Sequence, residues 1–313
     1  MDFGALEKSL SALGLRHLRR IVDGWQSLAV YEADVDGRPV AVKVVDPDLV
    51  DRAALEVRLE ALTRLAATGS WICGPVPLRG RLLNEVTPDP AAGSARSLVA
   101  VAYDFADGEA PDNDRPEMAA GMGRTLADLH ETMSALPPYA LPGLAAFPPL
   151  AKLEPVADDL GVPTFWLSEA LPEHGAGPCQ LLHGDFSSKN VRLAGTGWRV
   201  FDFDDCGYGP VELDLANSVY FVLFDATLRH DLDRYRRFRA SFLGGYHERS
   251  GHGPADSRID ALLTRRVLAL ASWLADPASA PSGIRTASAE WLATLHNFVQ
   301  RYTGTLEASG AAG

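Results

Sequence analysis

Between residues 180 and 216 the chain reads QLLHGDFSSKNVRLAGTGWRVFDFDDCGYGPVELDLA, and its polar side chains stand at intervals that could carry chemistry. His183, Asp185 and Asn190 share one polar loop, and the carboxylates Asp202, Asp204 and Asp205 follow within four residues of one another. Carboxylates packed this closely repel unless something positive sits among them. Oxygen ligands from carboxylate and amide, with no Cys or His cluster, suit a hard cation such as Mg²⁺. If the chemistry is phosphoryl transfer, each residue type has a task. Asp185 can accept the proton of an attacking hydroxyl, and Asn190, five residues on, returns to the same loop as a neutral metal ligand. Asp202 supplies the charged metal ligand, and Asp204 could reinforce it through a second ion or a water.

These side chains need strands and turns to place them. Leu181-Leu182 and Val191-Arg192-Leu193 read as short strands flanking the loop. A Gly-Thr-Gly turn follows, with Gly195 and Gly197 expected at positive φ, and a third strand runs from Trp198 to Phe203. Upstream, Asp23-Gly24 and Asp36-Gly37 separate the apolar runs Ile21-Val22, Leu28 to Tyr31 and Pro39 to Val45. Asp-Gly between alternating apolar runs is a hairpin signal, so Lys43 falls on the third strand of an antiparallel sheet. A helix is expected over Ala53 to Ala67, with Leu55, Leu59, Leu62 and Leu65 as its apolar stripe and Glu56 and Glu60 on one face. Residues 2–18 read as a short leading helix, and strands are expected near Leu78 to Val86 and Ser97 to Tyr103, joined by a Pro/Ala/Gly/Ser loop. Residues 116–133 open with Pro116 and read as a helix, followed by a Pro-rich irregular stretch over 137–163. Helices are then expected over Glu212 to Phe224, Leu232 to Tyr246, Ser257 to Leu274 and Ala287 to Tyr302, with a frayed tail after them. The basic stretch Arg234, Arg236, Arg237 and Arg239 reads as a solvated helix face with Tyr235 and Phe238 turned inward.

HGDFSSKN followed by FDFDDCGYGPVELDLA, with VAVKVV and GRTLADLH upstream, resembles the aminoglycoside phosphotransferase and choline kinase family, including its homoserine-kinase-like and stress-response branches. The resemblance implies an α+β, two-lobed protein-kinase-like fold: an antiparallel N-lobe over 1–103, a hinge over 104–108 and a mainly helical C-lobe over 109–313. It implies ATP with Mg²⁺ as donor and a small-molecule hydroxyl, aminoglycoside-, choline- or homoserine-like, as acceptor. Lys43 would contact the nucleotide phosphates and pair with Glu60, with Glu56 left open, and Arg58 stands near where relatives carry that glutamate. Ser27 in VDGWQSLAVY would reach a phosphate, or would be an ordinary turn serine. The backbone at Asp104 and Phe105, in YDFADGEA, would hold adenine. Asp185 takes the base position, and Asn190, Asp202 and Asp204 the metal positions. His183 and His130 are expected to be structural, and Asp214 to cap or orient the helix after it. Gly184 stands where protein kinases carry the arginine of H-R-D, so switching by loop phosphorylation is not expected. Three other readings remain: a protein serine/threonine kinase, a nucleotide-binding scaffold without catalysis, and a two-metal phosphohydrolase, for which no D-x-H or G-N-H is present.

At 313 residues the chain has room for about two domains. Its net charge of −12 and pI near 5.1 argue against nucleic acid as a partner. The three cysteines are too few and scattered for a disulfide framework or a zinc site. The first ten residues carry acids and no basic leader, and the longest apolar run, Val219 to Phe224, is too short to span a bilayer, so a cytoplasmic enzyme is expected. The oligomeric state is left open.

Overall fold

A computed structural model describes residues 2–22, 27–48, 50–88, 97–141, 143–144, 150–163, 179–195, 197–251 and 256–308. The turn at Asp23-Gly24, most of the loop between 87 and 97, and Thr196 lie outside these residues. The chain divides into two compact units. One comprises Met1–Glu109, Leu136–Pro142 and Val191–Asp202; the other comprises Ala110–Ala135, Gly143–Asn190 and Phe203–Gly313. Residues 191–202 thus fold with the first unit, which a single cut at 104–108 does not anticipate.

The first unit is an antiparallel sheet. Strands β1 (Arg16–Val22), β2 (Ala29–Val35) and β3 (Arg38–Val45) form a meander, β6 (Leu98–Asp104) pairs with β3, and the short β4 (Pro75–Val76) and β5 (Asn84–Val86) pair with β6. The β2–β3 turn has Asp36 at φ 53° and Gly37 at φ 82°, the doubly left-handed pair that matches strand twist in a two-residue hairpin. One face, bearing Val40, Val42 and Val44, packs with Leu6 and Leu10 of helix α1 (Phe3–Ser11). The opposite face places Val45, Val99 and Val101 against Leu55 and Leu59 of helix α2 (Arg52–Ala66), whose N-cap Asp51 accepts from the N–H groups of Ala53 and Ala54. The strand expected over 78–86 is shorter than its pattern implies. Arg79 and Gly80, at φ 50° and 75°, turn the chain there and leave only Asn84–Val86 in the sheet.

The second unit is mainly helical: α3 (Pro116–Ser134), α4 (Leu150–Asp159), α5 (Val211–Arg229), α6 (Leu232–Ser250), α7 (Asp256–Ala275), the short α8 (Ser282–Arg285) and α9 (Ala289–Ala308). Part of the Pro-rich stretch is therefore helical; burial of Leu153 and Ala157 outweighs the hydrogen bond lost at Pro155. The last helix continues to Ala308, past the expected fraying point. The basic stretch of α6 is an ion-paired face, with Arg234 on Asp114 and Asp225 and Arg239 on Asp256 and Asp260, while Phe238 is buried. No helix among the described residues is long and apolar enough to cross a membrane.

Candidate functional site

In the first unit, strand β3 carries Lys43 on the α2-facing side of the sheet, between its Cα partners Val30 and Val101. Its Nζ donates to Asp202 Oδ1 at 2.5 Å and lies 5.5 Å from the centre of the Tyr103 ring. The side chain of Lys43 is only 14% exposed, while that of Asp202 is 40% exposed. Asp202 reaches this position at the end of a hairpin, β8 (Val191–Ala194) with β9 (Gly197–Val200). Gly195 takes the expected positive φ, 58°, but Gly197 is ordinary strand. The third strand stops at Val200 rather than Phe203, and Asp202 sits beyond it at φ 66°, a strained conformation for a residue other than Gly.

Backbone hydrogen bonds attach this hairpin to the unit. Cys73 N–H donates to Val200 O at 2.9 Å and Val200 N–H to Trp71 O at 2.8 Å; Glu109 and Leu193 exchange bonds of 3.0 and 2.8 Å. A Cβ on Gly108 would stand 2.4 Å from Leu193 O, so the chain can pass this closely only without a side chain there. Of the residues expected at a hinge, Asp104 N–H donates to Gly74 O at 2.9 Å and Phe105 N–H to Pro39 O at 3.4 Å, while the Asp104 carboxylate accepts from Arg38. Ser27, two residues before β2, is buried.

The expected partner of Lys43 is not the observed one. Glu60 bonds Arg64 at 3.2 Å with 59% of its side chain exposed, and Glu56 bonds Arg52 at 3.3 Å. Both acids lie on the outer face of α2, because the packing of Leu55 and Leu59 on the sheet turns them outward. Asp202, 159 residues away in sequence, takes their place.

In the second unit, strand β7 (Gln180–Leu182) pairs with β10 (Gly207–Gly209), and the loop after β7 carries Asp185 and Asn190. Asn190 Nδ2 donates to Asp185 O at 2.8 Å and to Asp185 Oδ2 at 3.1 Å. That commits the amide nitrogen and leaves Oδ1 as the atom to face a cation. Burial pushes the Asp185 carboxyl up, against the pull of Arg266 and His183, with Asp205 adding to the rise and the Asn190 hydrogen bond opposing it. His183 is fully buried between Phe186 and Phe203, with ring centroids 5.8 and 4.4 Å away, in keeping with a structural role. Gly184 adopts φ 87°, and a Cβ there would stand 2.0 Å from Asp205 O. An arginine at this position would collide with the backbone that follows the metal-candidate carboxylates.

Asp214 does more than orient its own helix. Its carboxylate, fully buried, accepts from the N–H groups of His183 at 2.9 Å and Gly184 at 2.8 Å, and bonds His130 Nε2 at 3.1 Å. His130 Nδ1 continues the chain to the Tyr246 hydroxyl at 2.9 Å. Burial alone would raise the Asp214 carboxyl, but the hydrogen bond and charge of His130, with His183 and the Gly184 N–H, hold it below the ordinary carboxylate range. Asn217, one turn along α5, donates to Gly184 O at 2.6 Å. Asp214, Asn217 and His130 therefore clamp the backbone immediately before Asp185. Their sequence signal, polar residues on otherwise buried helix faces, was present but did not name their partners.

Asn190, Asp202 and Asp204 are oxygen donors of the kind that a hard cation such as Mg²⁺ takes. Among the described residues no three His, Cys, Asp or Glu side chains gather to hold an ion. Mg²⁺ typically takes one or two carboxylates and completes its shell with phosphate oxygens and water, which one amide and one or two carboxylates would serve. Asp204 lies in the turn between β9 and β10.

A family model described as the phosphotransferase enzyme family matches residues 17–262. No curated protein sequence matches the chain. Among solved structures, it is similar to an amicoumacin kinase in complex with AMP-PNP, Ca²⁺ and Ami (TM-score 0.70, 19% identity, covering 97% of this chain and 94% of that one). A microcompartment-associated aminopropanol kinase is as near, with TM-score 0.69, 20% identity and 98% of each chain covered. A spectinomycin phosphotransferase in complex with ADP and spectinomycin follows at TM-score 0.55 and 14% identity, covering 96% of this chain and 98% of that one. With its sheet, its helices and the 17–262 match, the chain belongs to the phosphotransferase enzyme family and is a kinase-like phosphotransferase.

Proposed function

We propose that this enzyme transfers the γ-phosphoryl group of ATP to a hydroxyl of a small molecule. The observation that carries the reading is the pair of hydrogen bonds from Asn190 Nδ2 to the carbonyl and carboxylate of Asp185, on a loop braced by Asp214. It orients one carboxylate toward an incoming hydroxyl and one amide oxygen toward a cation. Nucleotide-bound relatives such as the amicoumacin kinase with AMP-PNP and the spectinomycin phosphotransferase with ADP support the choice of donor.

In this mechanism Lys43 holds the phosphates through its ammonium group, with Asp202 as its counter-charge when no nucleotide is present. Mg²⁺, when bound, would be held by Asn190 and Asp202, with Asp204 as a further oxygen donor, and would neutralise phosphate charge. Asp185 aligns the acceptor hydroxyl and takes its proton as the oxygen bonds to phosphorus. Since the N–H groups of Asp104 and Phe105 are donated to Gly74 O and Pro39 O, the backbone there receives the adenine amino group through its carbonyl oxygens, and Ser27 takes a phosphate oxygen. Glu60, spent on Arg64, has no part. Positioning and electrostatics supply most of the rate, since no covalent intermediate with the protein is needed.

The test is a coupled ADP-release screen over hydroxylated small molecules, run beside Asp185→Ala. Acceptor-dependent turnover that falls about 10²–10⁴-fold in the variant supports the reading. Full acceptor-dependent turnover by Asp185→Ala would remove that residue as base.

A further inference from the structure

Around Asp185 the second unit places cations on aromatic rings. Lys189, one residue before Asn190, is exposed and carries its Nζ 3.7 Å from the centre of the Phe221 ring. Arg266, on α7, stacks its guanidinium 4.0 Å from the Tyr220 ring centre and 5.7 Å from that of Phe221. Phe221 is thus shared by both cations. Arg266 also donates through Nη1 to Asn217 Oδ1, and Asn217 Nδ2 donates to the carbonyl of Gly184, the residue before Asp185. Arg266 pulls the Asp185 carboxyl down, while burial pushes the Lys189 amine down, with Asp185 opposing that fall and the charge of Arg266 adding to it.

The acids of the helices packed here are engaged by other cations. Glu212 bonds Arg258 at 3.0 Å, Asp225 bonds Arg229 and Arg234 at 2.8 and 2.6 Å, and Asp260 bonds Arg239 at 2.7 Å. Among the described residues, Asp214 is buried under the loop backbone, and Asp185 is the carboxylate that acts on Lys189. A polycationic acceptor such as an aminoglycoside calls for the reverse arrangement, carboxylates facing its ammonium groups. Asn217 and the Tyr220 hydroxyl take N–H groups of the five that a guanidinium offers, and stacking on the rings holds the rest of the fork in place.

Resting on the phosphotransferase reading above, we propose that the acceptor is an alcohol bearing a carboxylate or phosphate group, received by Lys189 and Arg266, with its apolar stem against Phe221. The acceptor oxygen forms a bond to the γ-phosphorus as the bond from that phosphorus to the bridging oxygen breaks. The electron pair leaves with ADP, and the hydroxyl proton passes to Asp185.

The experiment compares hydroxybutyrate, glycerol phosphate, butanediol, aminobutanol and kanamycin by ADP release, and measures hydroxybutyrate and glycerol phosphate binding by calorimetry on the wild type, Lys189→Met, Arg266→Gln and Arg266→Lys. The expected result is kcat/KM at least about tenfold higher for one of the anionic alcohols than for butanediol. That ratio falls about tenfold in Lys189→Met and Arg266→Gln through KM, and Arg266→Lys retains most of it. Which of the two anions is preferred separates a carboxylate from a phosphate site. Preference for aminobutanol or kanamycin overturns the proposal, as does an equal kcat loss on every acceptor in Arg266→Gln together with an unchanged ratio in Lys189→Met, since Arg266 would then only prop the loop. Anion binding lost in Lys189→Met but no ADP release from any acceptor keeps the anion site and refutes phosphoryl transfer. Neither binding nor turnover with the anionic alcohols refutes the site.

Discussion

Replacing Asp214 with asparagine keeps the shape of the side chain and removes its charge and one of its two acceptor atoms. Its carboxylate accepts two backbone N–H bonds, at 2.9 and 2.8 Å, and one from His130 at 3.1 Å, with no exposure to water. An asparagine oxygen can serve one of the two backbone donors, while its NH₂ faces the other, so one buried N–H is left unpaired. That orphan costs about 1–3 kcal/mol, and loss of charge from the remaining bonds adds roughly 1–2 kcal/mol. The expected destabilisation is about 2–5 kcal/mol near neutral pH, the sum of the two. Urea unfolding followed by a probe in the second unit reads it directly. The pH dependence supplies a second check. Because the folded-state carboxyl is depressed, its stabilisation is fully present above the unfolded Asp pKa of about 3.9 and is lost as pH falls through the lower folded value. The gap between wild type and variant should therefore close below pH of about 4. A difference under about 1 kcal/mol at neutral pH, or a gap that persists undiminished in acid, would refute the clamp.

Gly184→Ala places a Cβ 2.0 Å from Asp205 O at φ 87°, so it should displace Asp185, lowering kcat about 100-fold at little change in nucleotide affinity; equal kcat would show that the loop relaxes freely. Asp202→Asn keeps a residue tolerant of φ 66° and loses an ion pair whose acid is 40% exposed, so stability should change by less than about 1 kcal/mol while turnover falls at least about 100-fold. Thermal unfolding and initial rates measured on one preparation separate the two effects. Cys179 is exposed, whereas Cys73 is buried and burial pushes its thiol up to about 12, so iodoacetamide at pH near 8 should label Cys179 first and Cys73 only on unfolding. Peptide mapping of the labelled protein reads the order.

Local pattern was sufficient for the elements and for the order of the candidate residues. Asp36-Gly37 specified its hairpin because both residues tolerate positive φ, and the leucines of α2 specified its buried face because their spacing follows the helical turn. The loop holding Asp185 and Asn190 was legible for the same reason: the two residues that bond each other lie five apart. Where local signals compete, the pattern failed. Residues 78–83 carry strand-like apolar positions, yet Arg79 and Gly80 turn the chain, and Pro155 sits inside a helix held by Leu153 and Ala157.

Partners distant in sequence were decided by packing alone. Two glutamates on α2 were as near to Lys43 by pattern as any acid could be, but the rotation of that helix on the sheet turns both to solvent and the hairpin end delivers Asp202 instead. Asp214 reads as an ordinary first-turn acid until burial strips it of water and packing hands its carboxylate to the backbone of the Asp185 loop and to His130. Arg266 likewise gains meaning only where α7 lays it on Tyr220 and joins it through Asn217 to Gly184. Composition and spacing determine which groups the protein owns and which local turns it makes. Which of them share a low-dielectric neighbourhood, and so exchange charge and hydrogen bonds strongly, follows from the tertiary packing that excludes water between them.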